Sequence, residues 1–107
     1  MTVWSPESTA DGTTTNTFAT ALSIDTRVAH DTTVVVANTD ASNALDYEVL
    51  GYSNYATGQS HTITTGTLTH GDTAEVVLVR HSKIVVRVKS SVGGSHATYQ
   101  VDSILGR

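Results

Sequence analysis

Apolar and polar residues alternate in short runs along most of this chain, and turn-forming residues separate the runs. Alternation with a period of two predicts β-strands that bury one face, and turns at short, regular intervals are typical of a sandwich. The predicted strands cover residues 17–24, 33–38, 45–52, 60–69, 75–80, 84–89 and 97–105. The pattern therefore predicts an all-β fold, a single β-sandwich of immunoglobulin-like or jelly-roll type with seven to eight strands.

Some runs give more detailed expectations. Residues 33–38 are almost continuously apolar, which is typical of a strand covered on both faces. Residues 75–80 and 84–89 are joined through residues 81–83, and two such runs around a short connection predict a β-hairpin. The face predicted to be apolar in the first strand consists of Phe18, Leu22 and Ile24.

The first residues differ from the rest of the chain. Residues 1–16 are polar, rich in Thr and Ser, and show no period, so we expect an N-terminal arm ahead of a domain that spans residues 17–107. Trp4, the one tryptophan of the chain, lies in this segment. It either folds back over one end of the sandwich or anchors the arm on a neighbouring subunit, since buried tryptophan is a frequent interface anchor.

Composition narrows the class of protein. The 107 residues include no cysteine, so stability has to come from packing, sheet hydrogen bonds or subunit contacts. The start, MTVWSPE, has neither the basic residues nor the apolar core of a signal peptide. No apolar run approaches the ~20 residues that span a bilayer. We expect a protein made in the cytoplasm that has no membrane partner.

Charge is divided unevenly along the chain. Residues 1–79 carry nine acids and one base, whereas residues 80–107 carry five bases and one acid. The net acidic composition argues against nucleic acid, whose binding domains are usually basic and carry aromatic side chains for stacking. In residues 84–89 the alternation places Ile84, Val86 and Val88 on one face and Val85, Arg87 and Lys89 on the other. We expect these basic residues to pair with an acidic surface, on a neighbouring subunit or on the chain's own Asp46 and Glu48, or else to be a solvated face. The predicted subunit-interface residues are Trp4, Arg80, Lys83, Arg87 and Lys89.

No motif in the sequence indicates catalysis. The five histidines lack metal-ligand spacing, although loops at one end of a sandwich could bring three of them together. Asp46 and Glu48 share one strand face, which fits a solvated surface better than the cleft-spanning carboxylates of a glycosidase. The chain has no G-x-S-x-G elbow and no phosphate-binding loop with a lysine. The sequence predicts a non-enzymatic protein with no catalytic residue, no metal and no cofactor.

Four segments carry a resemblance to a family. They are residues 34–42 (VVVANTDAS), 68–76 (LTHGDTAEV) and 84–91 (IVVRVKSS), and a last strand that ends in Gly106 and Arg107. Their order over residues 30–107 resembles small β-sandwich structural proteins of tailed double-stranded DNA viruses. The resemblance implies a virion structural protein that decorates or stabilises the capsid exterior, or builds head or tail parts. It also implies a homo-oligomer, a trimer or ring, bound to a larger assembly such as a capsid or tail.

A second interpretation concerns the loop at residues 51–58, GYSNYATG. Tyrosine rings can stack on sugar rings while amide side chains supply hydrogen bonds. The loop therefore supports an alternative function as a carbohydrate- or receptor-binding module. The ligand-binding residues in that case are Tyr52, Asn54, Tyr55 and Gln59.

Overall fold

The computed structural model describes residues 7–54, 58–79 and 81–106, and these residues form eight β-strands. The strands are β1 (Glu7–Thr13), β2 (Ala19–Asp25), β3 (Asp31–Asn38), β4 (Leu45–Tyr52), β5 (Ser60–Leu68), β6 (Thr73–Val79), β7 (Lys83–Ser90) and β8 (Thr98–Gly106). The predicted all-β class is confirmed. No helix among the described residues is long and apolar enough to cross a membrane.

The strands form two four-stranded antiparallel sheets. Sheet A has the order β1-β8-β3-β6, and sheet B has the order β2-β7-β4-β5. Among the consecutive strands of the described ranges, only β4 and β5 pair with each other, and every other connection carries the chain from one sheet to the other. The two sheets enclose one core, so the expected sandwich architecture is present.

Valine dominates that core. Val34 and Val36 of β3 share it with Val49 of β4 and Val86 of β7 from the opposite sheet, and all four are fully buried. Two heavy substituents on Cβ make valine stiff, and its compact side chain packs well on a pleated surface. The alternation of core-facing and outward-facing positions along most of β4 and β7 follows from this packing.

Two expectations about these strands are wrong. In β3 the buried residues Val34 and Val36 alternate with Val35, which is only half-buried on the outer side, so the strand is covered on one face rather than two. The segments at residues 75–80 and 84–89 do not form a hairpin, because β6 pairs with β3 in sheet A while β7 lies between β2 and β4 in sheet B. Both strands present one apolar face to the same core from opposite sides, and a local pattern cannot distinguish this arrangement from a hairpin.

The predicted arm also requires correction. Residues 7–13 form the edge strand β1, which pairs with β8 from Glu7 opposite Ile104 to Thr13 opposite Thr98. An edge strand with one solvated side needs few apolar residues. The polar sequence of β1 therefore lacks the apolar alternation that predicts a strand. The sandwich therefore begins earlier than residue 17. Trp4 lies outside the described residues.

A bulge changes the face of the second strand. The register of β2 against β7 shifts between Thr20 and Leu22. An extra residue at a bulge reverses the alternation, so Leu22 and Ile24 face the core while Phe18 lies on the outer side against β7. The expectation that Phe18 shares the core face is wrong for this reason.

A buried amide fixes one end of the sandwich. Asn38, at the end of β3, is 2% exposed. Its Nδ2 donates to the carbonyl oxygens of Asn43 (2.9 Å) and Leu68 (3.0 Å), and its Oδ1 accepts from the backbone N–H of Asp40 (2.9 Å). One side chain thus ties β3, the following turn and the end of β5 together.

Candidate assembly surfaces

The basic residues of β7 lie on the outer face of sheet B. Ile84, Val86 and Val88 point into the core, and each is at most 2% exposed. The alternate positions carry Arg87 and Lys89, which are half-exposed. The predicted division of this strand into an apolar face and a basic face is therefore present in the structure.

Two of these bases have partners within the chain. Antiparallel pairing of β4 with β7 sets Glu48 opposite Arg87 and Asp46 opposite Lys89. An Arg87 guanidinium nitrogen lies 2.9 Å from a Glu48 oxygen, and the Lys89 ammonium lies 3.7 Å from an Asp46 oxygen. Of the two acidic partners that the sequence suggests, the chain's own strand thus supplies one. Both pairs are partly exposed, and ion pairs at protein surfaces contribute about 0–1 kcal/mol each. A further role of these basic residues at a subunit interface stays a prediction.

Aromatic rings lie beside the same cations. Arg87 and Lys89 approach the ring of Phe18 at 5.5 and 5.3 Å from its centroid. The Lys83 ammonium lies 4.3 Å from the centroid of Tyr52. A cation over a ring face is attracted by the ring quadrupole. We use the name basic strip for Lys83, Arg87 and Lys89.

The outer face of sheet A has a different charge. All charged residues in its four strands are acidic, whereas the strands of sheet B contain three acids and three bases. Directly paired residues share a face, and the register places all the sheet A acids on the side opposite the core. These residues, to which we give the name acidic face, are Glu7, Asp11, Asp31, Glu75 and Asp102.

Exposed apolar side chains lie among these acids. Val77, Val79 and Ile104 are 67%, 77% and 47% exposed. Ile104 and Val77 lie on either side of Thr33 in one cross-strand row, and Val79 lies opposite Asp31. Contiguous exposed apolar surface bordered by polar groups is typical of interaction sites in soluble proteins. The acidic face is therefore a candidate docking surface.

One carboxylate of this face is held in place by hydrogen bonds. Thr9 Oγ1 of β1 donates to Asp102 Oδ1 of β8 at 2.6 Å, and Gln100 Nε2 donates to the same carboxylate at 3.2 Å. These bonds, led by the one from Thr9, hold the pKa of Asp102 below its ordinary value. Asp102 and Thr9 also line a shallow depression that runs across β1, β8 and β3.

Two histidines meet at one end of the sandwich. The rings of His61 and His81 have centroids 5.3 Å apart, and they line a shallow cleft with Arg27, Ser53 and Ser82. Gly51 makes this approach possible, because a Cβ there would lie 2.5 Å from His81 Cδ2. His81 Nδ1 lies 2.7 Å from the carbonyl oxygen of Val79, which requires the proton on Nδ1.

The histidine pair does not extend into a metal site. Among the described residues, no group of three or more histidine and acidic side chains is arranged to hold a metal ion. Arg27 in the cleft is paired with Asp25 at 2.7 Å, and this hydrogen-bonded contact lowers the pKa of the Asp25 carboxyl. Elsewhere in the sandwich, His96 Nδ1 lies 2.8 Å from Ser90 Oγ.

The residues of the alternative sugar-binding loop are only partly brought together. Tyr52 is half-buried with Lys83 over its ring, whereas Asn54 and Gln59 are exposed. Tyr55 lies outside the described residues. Of the predicted interface residues, Lys83, Arg87 and Lys89 share the outer face of sheet B, while Trp4 and Arg80 fall in the undescribed part of the chain.

The acidic face was not predicted from the sequence. Its acids are scattered between residues 7 and 102, and they gather only because β1, β3, β6 and β8 form one sheet. A partial signal was present in residues 75–79 (EVVLV), where an acid and two valines alternate with the core residues Val76 and Leu78. Val77 and Val79 thus lie on the outer side of β6, where they are exposed.

Comparison with known proteins identifies a shared architecture. No family model matches the chain, and no curated protein matches it. Among solved structures, PirA is similar with a TM-score of 0.63 at 15% identity, over 87% of this chain and 90% of that chain.

Two further structures are similar at the same level. One comes from Bacillus endospore appendages, described as disulfide-linked pili, with a TM-score of 0.57 at 13% identity over 94% of this chain and 86% of that one. The SPBc2 prophage-derived protein YomS has a TM-score of 0.51 at 10% identity, over 97% of this chain and 99% of that one. At such identities the likeness shows the fold alone, an all-β sandwich.

Proposed function

We propose that this chain is a non-enzymatic structural protein that acts by assembling with copies of itself and with a larger protein shell. The observation that carries the proposal is the acidic face, where Val77 and Val79 are 67% and 77% exposed among carboxylates on one whole side of the sandwich. Covering such a surface removes its exposed apolar side chains from water, and its negative charge restricts which partner surfaces can bind it.

The placement of potential catalytic groups supports a non-enzymatic role. Ser90 is 3% exposed, and its hydroxyl lies within 2.8 Å of both Thr14 Oγ1 and His96 Nδ1. A nucleophile must reach the reacting carbonyl with its base beside it, and a hydroxyl enclosed between two strand ends does not. The contact instead ties together the segments that carry Thr14, Ser90 and His96.

We infer that the sandwich is of the jelly-roll type. In an immunoglobulin-type sheet the first and second strands are neighbours, whereas here β1 pairs with β8 and β2 pairs with β7. Eight strands in two sheets with repeated crossings between them are typical of jelly rolls, a fold that recurs in viral capsids and lectins.

The specific assembly we propose is a virion. The segments that resemble structural proteins of tailed double-stranded DNA viruses favour a place on the capsid exterior, and the chain would be made in the host cytoplasm and built into the particle. The similarity to an endospore pilus subunit and to a prophage-derived protein is compatible with assembly. The oligomer we propose is a ring or trimer.

A carbohydrate-binding function is less well supported. Sugar stacking needs an open tyrosine face, and the Lys83 ammonium lies 4.3 Å from the centroid of the Tyr52 ring. A glycan array with the Tyr52→Ala variant as control tests this alternative directly. Binding that is lost in the variant would favour the module over the structural protein.

Fractionation of virus particles tests the virion proposal. Particles from the source culture are banded in a density gradient, and the fractions are probed for this chain and for DNA. We expect the chain in the DNA-containing band, where an antibody against it binds intact particles. Recovery of the chain only in the free-protein fraction would contradict a place on the virion.

A further inference from the structure

We propose that the acidic face of one copy docks on the outer face of sheet B of a second copy, so that copies stack head to tail. This inference rests on the proposed function as an assembling protein and names the two surfaces that meet. The acidic face of one copy is thus covered by a second copy of this chain. The basic strip of the second copy makes the contact.

Charge excludes the simplest alternative, in which two acidic faces meet around a twofold axis. Such a contact would bring five carboxylates from each copy together, with no base in the strands of either face. Like charges placed opposite one another at an interface are strongly unfavourable. The face therefore needs a partner surface that carries cations.

Sheet B supplies cations in the middle of its face. β7 is an inner strand of that sheet, and Arg87 and Lys89 are 37% and 34% exposed at their side chains. The guanidinium of arginine has five N–H donors, so Arg87 can hold Glu48 and a carboxylate of a second copy together. The Lys89–Asp46 distance of 3.7 Å exceeds a hydrogen-bond length, and this ammonium can move toward a second acid.

Apolar groups match across the same contact. Phe18 lies on the outer side of sheet B beside the basic strip. Val77, Val79 and Ile104 are the exposed apolar side chains of the acidic face. Stacking the two faces removes these side chains from water while carboxylates find cations, and apolar contact supplies affinity that charge alone does not.

The area available indicates a weak single contact. A face of four strands spaced ~4.8 Å apart and about 25 Å long covers about 480 Å². Two such faces bury about 1,000 Å² in total, close to the lower limit for a specific interface. When two copies join through two different faces, the pair keeps one unoccupied face at each end. Further copies can therefore add until a ring closes or an open stack forms.

Two variants separate the faces. Glu7→Lys/Glu75→Lys reverses two exposed acids of the acidic face. Arg87→Gln/Lys89→Gln removes two of the three cations of the basic strip and introduces no new charge beside Asp46 and Glu48. Val92→Lys/Gly93→Lys adds charge to the exposed loop between β7 and β8, at positions that belong to neither face, and is the control. Circular dichroism verifies that each variant folds.

The decisive measurement is the mass of each protein and of their mixtures by sedimentation velocity. We expect each face variant alone to associate roughly tenfold more weakly than wild type or worse, while the control assembles normally. An equimolar mixture of the two face variants should form a 1:1 dimer and stop there, because each variant retains the face that the other has lost.

The outcomes distinguish this inference from the proposed function. If wild type assembles and both face variants assemble equally well, or if the mixture yields no heterodimer, head-to-tail docking through these faces is wrong while an assembling protein remains. If wild type itself stays monomeric and binds no particle, the proposed function is wrong as well.

Discussion

Replacing Asn38 with alanine should destabilise the sandwich strongly, because this side chain is buried and both of its polar atoms are hydrogen-bonded. It is 2% exposed and makes three hydrogen bonds of 2.9–3.0 Å. Each such bond contributes about 1 kcal/mol net, and a carbonyl left buried without a donor adds about 1 kcal/mol more. Asn38→Ala should therefore lower the free energy of unfolding by about 2–4 kcal/mol.

The assay is urea unfolding followed by circular dichroism, with the slope of the transition held common to all variants. Asn43→Ala is the matched control, because Asn43 Nδ2 makes one exposed hydrogen bond, to the carbonyl oxygen of His96 at 2.8 Å. We expect the control to lose less than about 1 kcal/mol. An Asn38→Ala loss as small as that of the control would refute the claim that this amide holds the end of the sandwich.

Asn38→Asp tests the direction of the same bonds. A carboxylate oxygen in place of Nδ2 would face the two carbonyl oxygens that Nδ2 now satisfies, so at neutral pH the variant should be less stable than Asn38→Ala. The buried carboxyl would have a raised pKa, and its protonated form can donate one bond. The stability of Asn38→Asp relative to Asn38→Ala should therefore rise as the pH falls. If the difference in stability between the two variants does not change with pH, the assigned orientation of the Asn38 amide is wrong.

Three other contacts give predictions of their own. Gly51→Ala should cost about 1–3 kcal/mol in thermal unfolding because its Cβ would collide with His81, whereas Gly93→Ala, which meets no atom within 4 Å, should be nearly neutral. Glu48→Gln should cost less than about 1 kcal/mol, since its partner Arg87 is partly exposed at the surface, and a larger loss would show that this ion pair contributes more than surface pairs usually do. Hydrogen bonds from backbone N–H groups hold the pKa of Asp40 below the ordinary 3.8. Asp40 therefore contributes to folding stability at every pH above 3.8, and this contribution disappears as the pH falls through its lowered pKa in the folded state. Acid unfolding of Asp40→Asn should accordingly be shallower than that of wild type.

Strand identity was predictable where burial is one-sided. Along most of β4 and β7 the residues alternate between the core and the outer face, and apolar and polar residues alternate in the sequence at the same positions. The basic face of β7 followed directly, since Arg87 falls between Val86 and Val88. The alternation of apolar and polar residues reflects which side chains are buried. In these strands the single core between the two sheets determines that burial.

Pairing and surface composition were not predictable in the same way. Whether β6 turns back on β7 or crosses to the other sheet depends on contacts between distant strands, and either arrangement buries the same valines. The strand β1 has no apolar stripe because its outer side faces water and its position is at an edge. The acidic face exists only once the sheet order is known, since its acids lie far apart along the chain.

The native mass of the wild-type chain, measured over a range of protein concentration and salt, tests whether this sandwich works by assembly. We expect oligomers at micromolar concentration whose association weakens as salt rises, because exposed charges are screened beyond about 8 Å at physiological ionic strength. A residual apolar contribution from Val77, Val79 and Ile104 should keep some association at high salt. A monomer at every concentration and every salt, up to high micromolar protein, would contradict a function by assembly.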